Sequence, residues 1–402
     1  MNNRIDIHIT EPPNISASLT FLDNITAQVD GVFSWSIDAL GGFATAHVEM
    51  VVSEADARAM LSRLGKRIVF ISPEAPHSGQ VCWEGRIFTV SVDDGGATIA
   101  RSLENCFNRV SVIYSTVDNT TTPPTVGMRA RTAVLDDTAS QSLYGIRELR
   151  FATGGSTPSD ADVLAARLLS QYADPLAATS TMRRGGGTSP ESFRVSIECV
   201  GFVEELAVRF WTSASTTTTT LDAVMAGVLT SPLQFIAADA SGLAPNSLLT
   251  STYQDEDLSI RTYFQRLLAY GDGATGRQVL WGVYEDRRFI TEVAAESVGY
   301  YTRRADAGED IIDANTGNVV RPWLVRPGRI IQVADLMPDS TVYASPLDNA
   351  RAFRVGRVEF SAPASVTLSP LTFDSAQMVL ARLIGQMPTE EPIHQLPPPP
   401  GV

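Results

Sequence analysis

Two pairs of segments at opposite ends of the chain echo each other. Gly65-Lys66-Arg67-Ile68-Val69-Phe70 is followed by Trp83-Glu84-Gly85-Arg86-Ile87-Phe88. Pro327-Gly328-Arg329-Ile330-Ile331-Gln332 is followed by Val355-Gly356-Arg357-Val358-Glu359-Phe360. Each combines a glycine, one or two basic residues and an apolar strand, repeated 20 or 28 residues later. Internal self-similarity constrains the whole fold. Its simplest cause is two copies of one β-barrel-like unit with α/β material between them. Chance is the alternative, because Gly-Arg-Ile commonly opens a strand.

Strand patterns dominate the first 118 residues. Ile5, Ile7 and Ile9 alternate with Asp6 and His8. Phe33, Trp35 and Ile37 alternate with Ser34, Ser36 and Asp38, and Ala39-Leu40-Gly41-Gly42 reads as the turn. Period two places one apolar face on a core. Ser53-Glu54-Ala55-Asp56 predicts a capped helix through Leu61 and Leu64, stopped by Gly65. Strands are expected at Arg67–Ser72, Val81–Val92 and Val110–Tyr114, with Asp93-Asp94-Gly95-Gly96 as a turn. Residues 115–128 read as a polar, Pro-containing linker or long loop.

Further on, Ser159 and Asp160 are expected to cap a helix carrying Leu164, Leu168, Leu169 and Tyr172. Arg183 to Ser189 reads as a flexible loop. Phe193–Val200 and Val203–Trp211 read as two strands around Gly201-Phe202. The run Thr216–Thr220 leads into a helix at Leu221–Leu229, and Asp257 is expected to cap another with Ile260, Phe264, Leu267 and Leu268. Strands return at Gln278–Tyr284, Phe289–Val293, Trp323–Val325, Arg329–Ala334 and Ala352–Phe360. Asp374 heads a last predicted helix with Val379, Leu380, Leu383 and Ile384, and LPPPPGV predicts polyproline II.

At roughly 150 residues per domain, 402 residues suggest two to four domains. The expected divisions are 1–118 (first β unit), 119–270 (linker and α/β insert, with 193–211 able to complete the first barrel), 271–373 (second β unit) and 374–402 (helix and proline-rich tail). No stretch approaches the ~20 apolar residues of a transmembrane helix. MNNRIDIHIT reads as a first strand, not a signal peptide. Cys82, Cys106 and Cys199 are odd in number and far apart, which argues against a disulfide framework or a structural zinc site. The net charge of −14 disfavours sequence-specific DNA binding and anionic membranes; it does not exclude a channel through which DNA slides, and its plainest reading is that it serves solubility alone.

Chemical motifs are weak. Gly271-Asp272-Gly273-Ala274-Thr275-Gly276 matches GxGxxG, but a helix is expected before it and a strand after it, the reverse of a dinucleotide fold. Asp313-Ala314-Asn315-Thr316-Gly317 hints at a calcium loop, but the twelfth position is Leu324, so a hairpin turn is expected. No GxSxG, HExxH or Walker loop occurs. His8, His47, His77 and His394 are scattered. Asp93-Asp94 and Asp136-Asp137 read as turns and Glu204-Glu205 as the start of a strand, so no paired-carboxylate site is expected. Arg183-Arg184 reads as a solvated loop before a phosphate site. Trp35, Trp83, Trp211, Trp281 and Trp323 are expected in strands, for packing. Sequons at Asn14, Asn24 and Asn119 matter only in a secretory host. The expectation is no catalytic, cofactor-binding or metal residue, no cofactor, and no enzymatic activity.

Three stretches resemble the baseplate hub or tail-tip proteins of long-tailed bacteriophages. The first is Trp83-Glu84-Gly85-Arg86-Ile87 with Asn105-Cys106-Phe107-Asn108-Arg109-Val110. The second is Asp137-Thr138-Ala139-Ser140-Gln141-Ser142-Leu143-Tyr144-Gly145-Ile146-Arg147-Glu148, with Cys199-Val200-Gly201-Phe202 after the helix. The third is Arg326-Pro327-Gly328-Arg329-Ile330-Ile331-Gln332-Val333-Ala334-Asp335, then Phe353–Phe360 and Val366-Thr367-Leu368. They span most of the chain in the family's order. The serine- and threonine-rich linkers and the proline tail depart from it.

The resemblance implies an α+β, mainly β fold: two tail-tube-like β-barrel domains with an inserted α/β region. It implies a homotrimeric ring joining a six-fold tail tube or distal tail protein to a three-fold spike or fibre, because two barrels per chain let three copies match six. DNA would pass through the lumen without sequence-specific binding, with no membrane insertion. The expected location is the virion tail tip, assembled in the bacterial host cytoplasm. The alternatives are a hexameric distal tail adaptor, and a tail-associated cell-wall hydrolase or carbohydrate-binding module.

Overall fold

The computed structural model describes residues 5–10, 21–73, 78–93, 96–118, 120, 122–123, 125–175, 177–182, 192–211, 218–230, 233–251, 258–305, 308–332, 352–363 and 365–371. The fold is α+β and mainly β. The first elements are β1 (Asp6–Thr10), β2 (Phe21–Asn24), β3 (Val29–Asp38), β4 (Leu40–Val52), α1 (Glu54–Leu61), β5 (Arg67–Ile71), β6 (Val81–Asp93) and β7 (Ala97–Ser102). Then come β8 (Arg109–Asp118), β9 (Thr125–Arg131), β10 (Leu135–Asp136), α2 (Thr138–Tyr144), β11 (Glu148–Ser156), α3 (Pro158–Tyr172), β12 (Ala177–Met182), β13 (Phe193–Val200) and α4 (Glu204–Ala207). The rest are β14 (Thr218–Thr220), α5 (Leu221–Leu229), β15 (Leu249–Ser251), α6 (Ile260–Leu268), β16 (Val279–Val283), β17 (Phe289–Val293), β18 (Val298–Ala305), β19 (Gly308–Asp313), β20 (Val319–Val320), β21 (Ile330–Gln332), β22 (Ala352–Ser361) and β23 (Ser365–Pro370).

A band of eight strands organises the molecule. Its lateral order is β12, β7, β6, β13, β4, β3, β22, β23, and every neighbour is antiparallel. Strand β13, from the middle of the sequence, fills the place between β6 and β4. β5 extends the sheet beside β6 and carries β1 and then β2. β16 extends it beside β4 as a parallel neighbour and carries β17. β21 extends it beside β22 and leads to β18, β19 and β20.

The alternation in β3 places Trp35 and Ile37 in a core with Ile7, Ile9, Phe43, Val48, Phe70, Trp83 and Ile197. A second core joins α4, α5 and α6 to β16 and β17 through Phe202, Leu206, Met225, Phe264, Trp281 and Phe289. A third gathers Tyr300, Val325, Ile331, Val355 and Val358. The inserted region has its own sheet, with β11 parallel to β8, and packs Val112 and Tyr114 on Ala161 and Ala165 of α3.

The sequence echo has a structural counterpart at two corners. The Gly65 N–H donates to Ile87 O and the Ile87 N–H to Lys66 O, both at 2.9 Å. The Gly328 N–H donates to Val355 O at 2.6 Å and the Val355 N–H to Arg329 O at 2.9 Å. Both glycines have left-handed φ, 80° and 89°, which costs a side-chain-bearing residue strain. β6 pairs with β5 and then β7 along one edge and with β13 on the other. β22 pairs with β21 and then β3 along one edge and with β23 on the other. By these bonds Ile87 matches Val355, so Gly85 corresponds to Phe353 and not to Gly356.

Several elements differ from the sequence reading. Val203–Trp211 is not a strand: α4 forms there because Phe202, Val203 and Leu206 all enter the second core, as a helical turn allows. Trp323 lies in a 3-10 turn, Pro322–Leu324, not a strand. The expected linker at 115–128 holds the end of β8 and the start of β9, whose residues are nearly all exposed. Thr157 caps α3, its Oγ1 accepting from the Asp160 N–H at 3.2 Å, with Pro158 in the first turn. Ser259 caps α6 in the same way. Asp257, the helix expected after Asp374, the proline tail and Arg183-Arg184 lie outside the described residues.

Candidate functional site

The band has two unlike faces. Phe360, Trp35, Ala46, Cys199 and Ile87 form one straight row across it, all buried. The next row over is polar from end to end: Ser365, Ser361, Ser34, His47, Glu198, Thr89 and Ser102. Side chains of neighbouring residues in a strand point to opposite faces, so this row lies opposite the first core. Asp38, Glu49, Asp93, Arg194, Ser196, Arg357 and Glu359 belong to the same face by register. A depression of about 450 Å³ opens on it, lined among others by Ser36, Thr45, His47, Glu198, Arg357 and Glu359.

Polar groups on this face serve one another both across and along strands. Ser36 Oγ and Thr45 Oγ1 are 2.8 Å apart, and Thr89 Oγ1 and Ser102 Oγ 2.9 Å. His47 Nε2 lies 3.3 Å from Glu49 Oε1. Arg357 donates to Glu359 at 2.6 Å and approaches Asp38 Oδ1 at 3.5 Å. Burial pushes the Asp38 carboxyl above the ordinary range, against the pull of Arg357 and Arg261. The carboxylates of Asp38, Glu49, Asp93, Glu198 and Glu359 outnumber the guanidiniums of Arg194 and Arg357, and no lysine joins them. A face so composed presents hydrogen-bonding groups and net negative charge, which repels phosphate.

The carboxylate pairs singled out in the sequence are structural. Asp136 accepts from Arg109 Nε at 2.7 Å and from Gln141. Asp137 caps α2, accepting the Ser140 N–H at 2.9 Å. Glu204 pairs with Arg147 at 2.6 Å. Glu205 is buried and accepts the backbone N–H groups of Gln234, Phe235 and Ile236 at 2.6, 2.9 and 3.2 Å. Arg86 stacks 4.1 Å above the Phe235 ring, and burial pulls its guanidinium down to about 10, still charged at neutral pH. Asp93 ends β6, and Asp94 lies outside the described residues.

The glycine motif 271–276 follows α6 and precedes β16. Its Asp272 accepts from the Thr275 N–H at 2.8 Å and from the Thr275 hydroxyl, closing a turn. Asp313 likewise accepts from Asn315 N and Thr316 N, at 3.0 and 2.9 Å, in the turn from β19 to β20. Trp35, Trp83, Trp281 and Trp323 are buried, while Trp211 is half-buried and stacks on Tyr263 at 5.6 Å. Cys82, Cys106 and Cys199 are buried and free. His8 lies in β1, and His77 and His394 lie outside the described residues. Among the described residues, no group of three or more His, Cys, Asp or Glu is placed to hold a metal, and no helix is long and apolar enough to cross a membrane.

Sequence reasoning missed the polar face. Its residues were visible as the polar halves of alternating strands, but their adjacency depends on β13 and β22 arriving beside β4 and β3.

The sequence matches no protein-family model and no curated protein. Among solved structures, the tail protein from Neisseria meningitidis MC58 is similar over 90% of this chain and 94% of its own, at 8% identity and a TM-score of 0.37. The 43 kDa tail protein of prophage MuSo2 from Shewanella oneidensis is similar over 92% of this chain and 96% of its own, at 8% identity and a TM-score of 0.36.

Proposed function

We propose that the chain is a non-enzymatic structural protein of a phage-type tail, a hub whose copies form a three-membered ring with the polar face turned to the lumen. The repeated corner at Gly65 and Gly328 carries this reading. Each corner sits partway along a long strand, β6 or β22, which has two successive partners on one edge and one on the other. One chain thus supplies two similar wall elements, and three chains supply six, the number needed to meet a six-fold tube on one side and a three-fold spike or fibre on the other.

The polar face suits a wall along which DNA travels. Its carboxylates repel phosphate, and its hydroxyls offer weak contacts that salt or water replaces easily. Of the motifs that resemble hub proteins, the one at Trp83 lies in β6, the one at Arg326 leads into β21, and the one at Asp137 lies on α2 of the inserted region. A hexameric adaptor would need only one such wall element per chain. A hydrolase would need a cleft with two facing carboxyls, and the pairs at 136–137 and 204–205 are spent on helix caps, ion pairs and backbone donors.

Native mass spectrometry of the purified full chain tests the proposal. The expected species is a ring of three. A ring of six, or a stable monomer that cleaves cell-wall polymers, would overturn it.

A further inference from the structure

The third core is open on one side. A groove of about 290 Å³ lies between β23 on one wall and β19 and β20 on the other, lined among others by Ile311, Val319, Val320, Pro322, Val366 and Leu368. Ile311, Val320, Val366 and Leu368 pack on the buried residues of that core but stay only partly covered themselves. Val319 is 48% exposed. Protein interiors are close-packed, with few voids larger than a water molecule. An apolar trough of this size is therefore a seat for further side chains.

We infer that the segment of this chain from Asp374 to Ile384 seats in the groove as an amphipathic helix and closes the third core. The inference concerns a single chain and stands apart from the ring reading. Three observations select this occupant.

The first is pattern. Ala376, Val379, Leu380, Leu383 and Ile384 fall at i, i+3, i+4, i+7 and i+8, which gathers them on one stripe of a helix. Asp374, Ser375 and Arg382 fall away from that stripe. Asp374 supplies a cap ahead of it and Gly385 a stop behind it. A helix this short is marginal in water unless it buries its apolar stripe on a surface.

The second is reach. β23 ends at Pro370, and Leu368, a lining residue of the groove, stands six residues before Asp374. Six residues span at most about 22 Å. The tether is long enough to fold the segment back on the groove and too short to carry it far from β23.

The third is the character of the two faces of β23. Ser365, Thr367 and Ser369 alternate with Val366 and Leu368 along the strand. The serine and threonine side continues the polar row, through Ser365 and its partner Ser361. An aliphatic stripe would meet hydroxyls and carboxylates there. The side of Val366 and Leu368 faces the groove, whose lining is aliphatic like the stripe.

Paired cysteines in the full chain test the seating. Leu380→Cys is combined with Val319→Cys or with Val366→Cys, one on each wall. Equal amounts of isotopically heavy and normal chains are mixed, oxidised, digested and read by mass spectrometry. The native thiols are buried. The expected result is a link within one chain for at least one pair, formed at a rate independent of protein concentration, as a tethered contact requires. Leu380→Cys with Met128→Cys, on exposed β9, should stay unlinked. A link between heavy and normal chains puts a second copy in the groove and overturns the inference. So does the absence of any link at either wall, which leaves the groove to another partner, and so does an equally fast link to Met128→Cys. A second variant needs no new thiol. Leu380→Asp with Leu383→Asp sets charges on the stripe, and amide exchange in β20 and β23 should rise about tenfold or more while β4 keeps its protection. Unchanged exchange in both strands overturns the seating.

Discussion

The backbone N–H of Arg287 donates to Oε1 of Glu84 at 3.1 Å, joining groups 203 residues apart. Glu84 is fully buried and also pairs with Arg67. Asp286 and Arg287 hold φ of 60° and 59°, in the left-handed region. The carboxylate thus fixes a tight turn between β16 and β17 to the hairpin of β5 and β6. Removing it strands a buried guanidinium. Glu84→Ala is expected to lower unfolding free energy by about 3–5 kcal/mol. Glu84→Leu with Arg67→Met should recover much of that loss. Urea denaturation of the two variants checks both expectations.

Gly201 lies against the chain that opens β4. A Cβ built there would approach Phe43 O to 1.7 Å, and the Gly201 N–H already donates to Ala44 O at 2.7 Å. Gly201→Ala is expected to cost about 3 kcal/mol, since the backbone of either segment must shift. Its urea midpoint should fall with no change in slope, and the bridge from β13 to α4 should gain hydrogen exchange.

Asp38 gives stability a pH dependence of definite sign. Its folded-state carboxyl is held above the ordinary value of 3.8 by burial. The folded protein therefore binds this proton more tightly than the unfolded chain does. The contribution is complete below pH 3.8 and is lost as pH rises through the folded value. Asp38→Asn removes it. Relative to wild type, the variant should gain stability between acid and neutral pH. Urea midpoints across that range measure the difference, and an unchanged difference would contradict the assignment.

The three thiols should be silent in the native state. Burial pushes Cys82 up to about 12 and raises Cys106 and Cys199 as well. A thiol that stays protonated and buried is a poor nucleophile. Ellman's reagent is expected to find no reactive group before unfolding and all three Cys after it.

The polar face should not hold DNA, and reversing its charge should make it do so. Glu198 and Glu359 are exposed, so Glu198→Lys with Glu359→Lys should leave the unfolding midpoint nearly unchanged. Duplex DNA should be retarded by the double variant and not by wild type at low salt, and the retardation should vanish as salt rises. Equal mobility with both proteins would argue against the face as a DNA-lining wall.

Much of the framework was legible in the sequence where burial is one-sided. Phe33, Trp35 and Ile37 announce β3 because one face of the strand is core and the other is polar. Strands β7, β9 and β12 gave no such signal. In β9 both faces are largely exposed, so the pattern has no period to reveal. The error at 203–211 has the opposite cause. Phe202, Val203 and Leu206 form a short apolar cluster, and a few apolar residues cannot separate a strand from one helical turn. The echo was real at its first half, where Gly65 and Gly328 take the same backbone conformation. At its second half the shared Gly-Arg motif misled by three residues, because the bonds equate Ile87 with Val355. The polar face needed more than any local pattern, since its rows cross strands brought together from distant parts of the chain.

Trp35 stands beside Phe360 in the ladder between β3 and β22, ring centroids 4.3 Å apart. β3 (Val29–Asp38) therefore waits for β22 (Ala352–Ser361), from a distant part of the sequence. On a ribosome, that flank of β3 stays bare until β22 has emerged. Proteins with such distant closures fold slowly and are most prone to aggregate while incomplete. A stop codon anywhere before residue 352 would leave that flank permanently uncovered, so truncated products should accumulate as insoluble material and not as smaller working pieces.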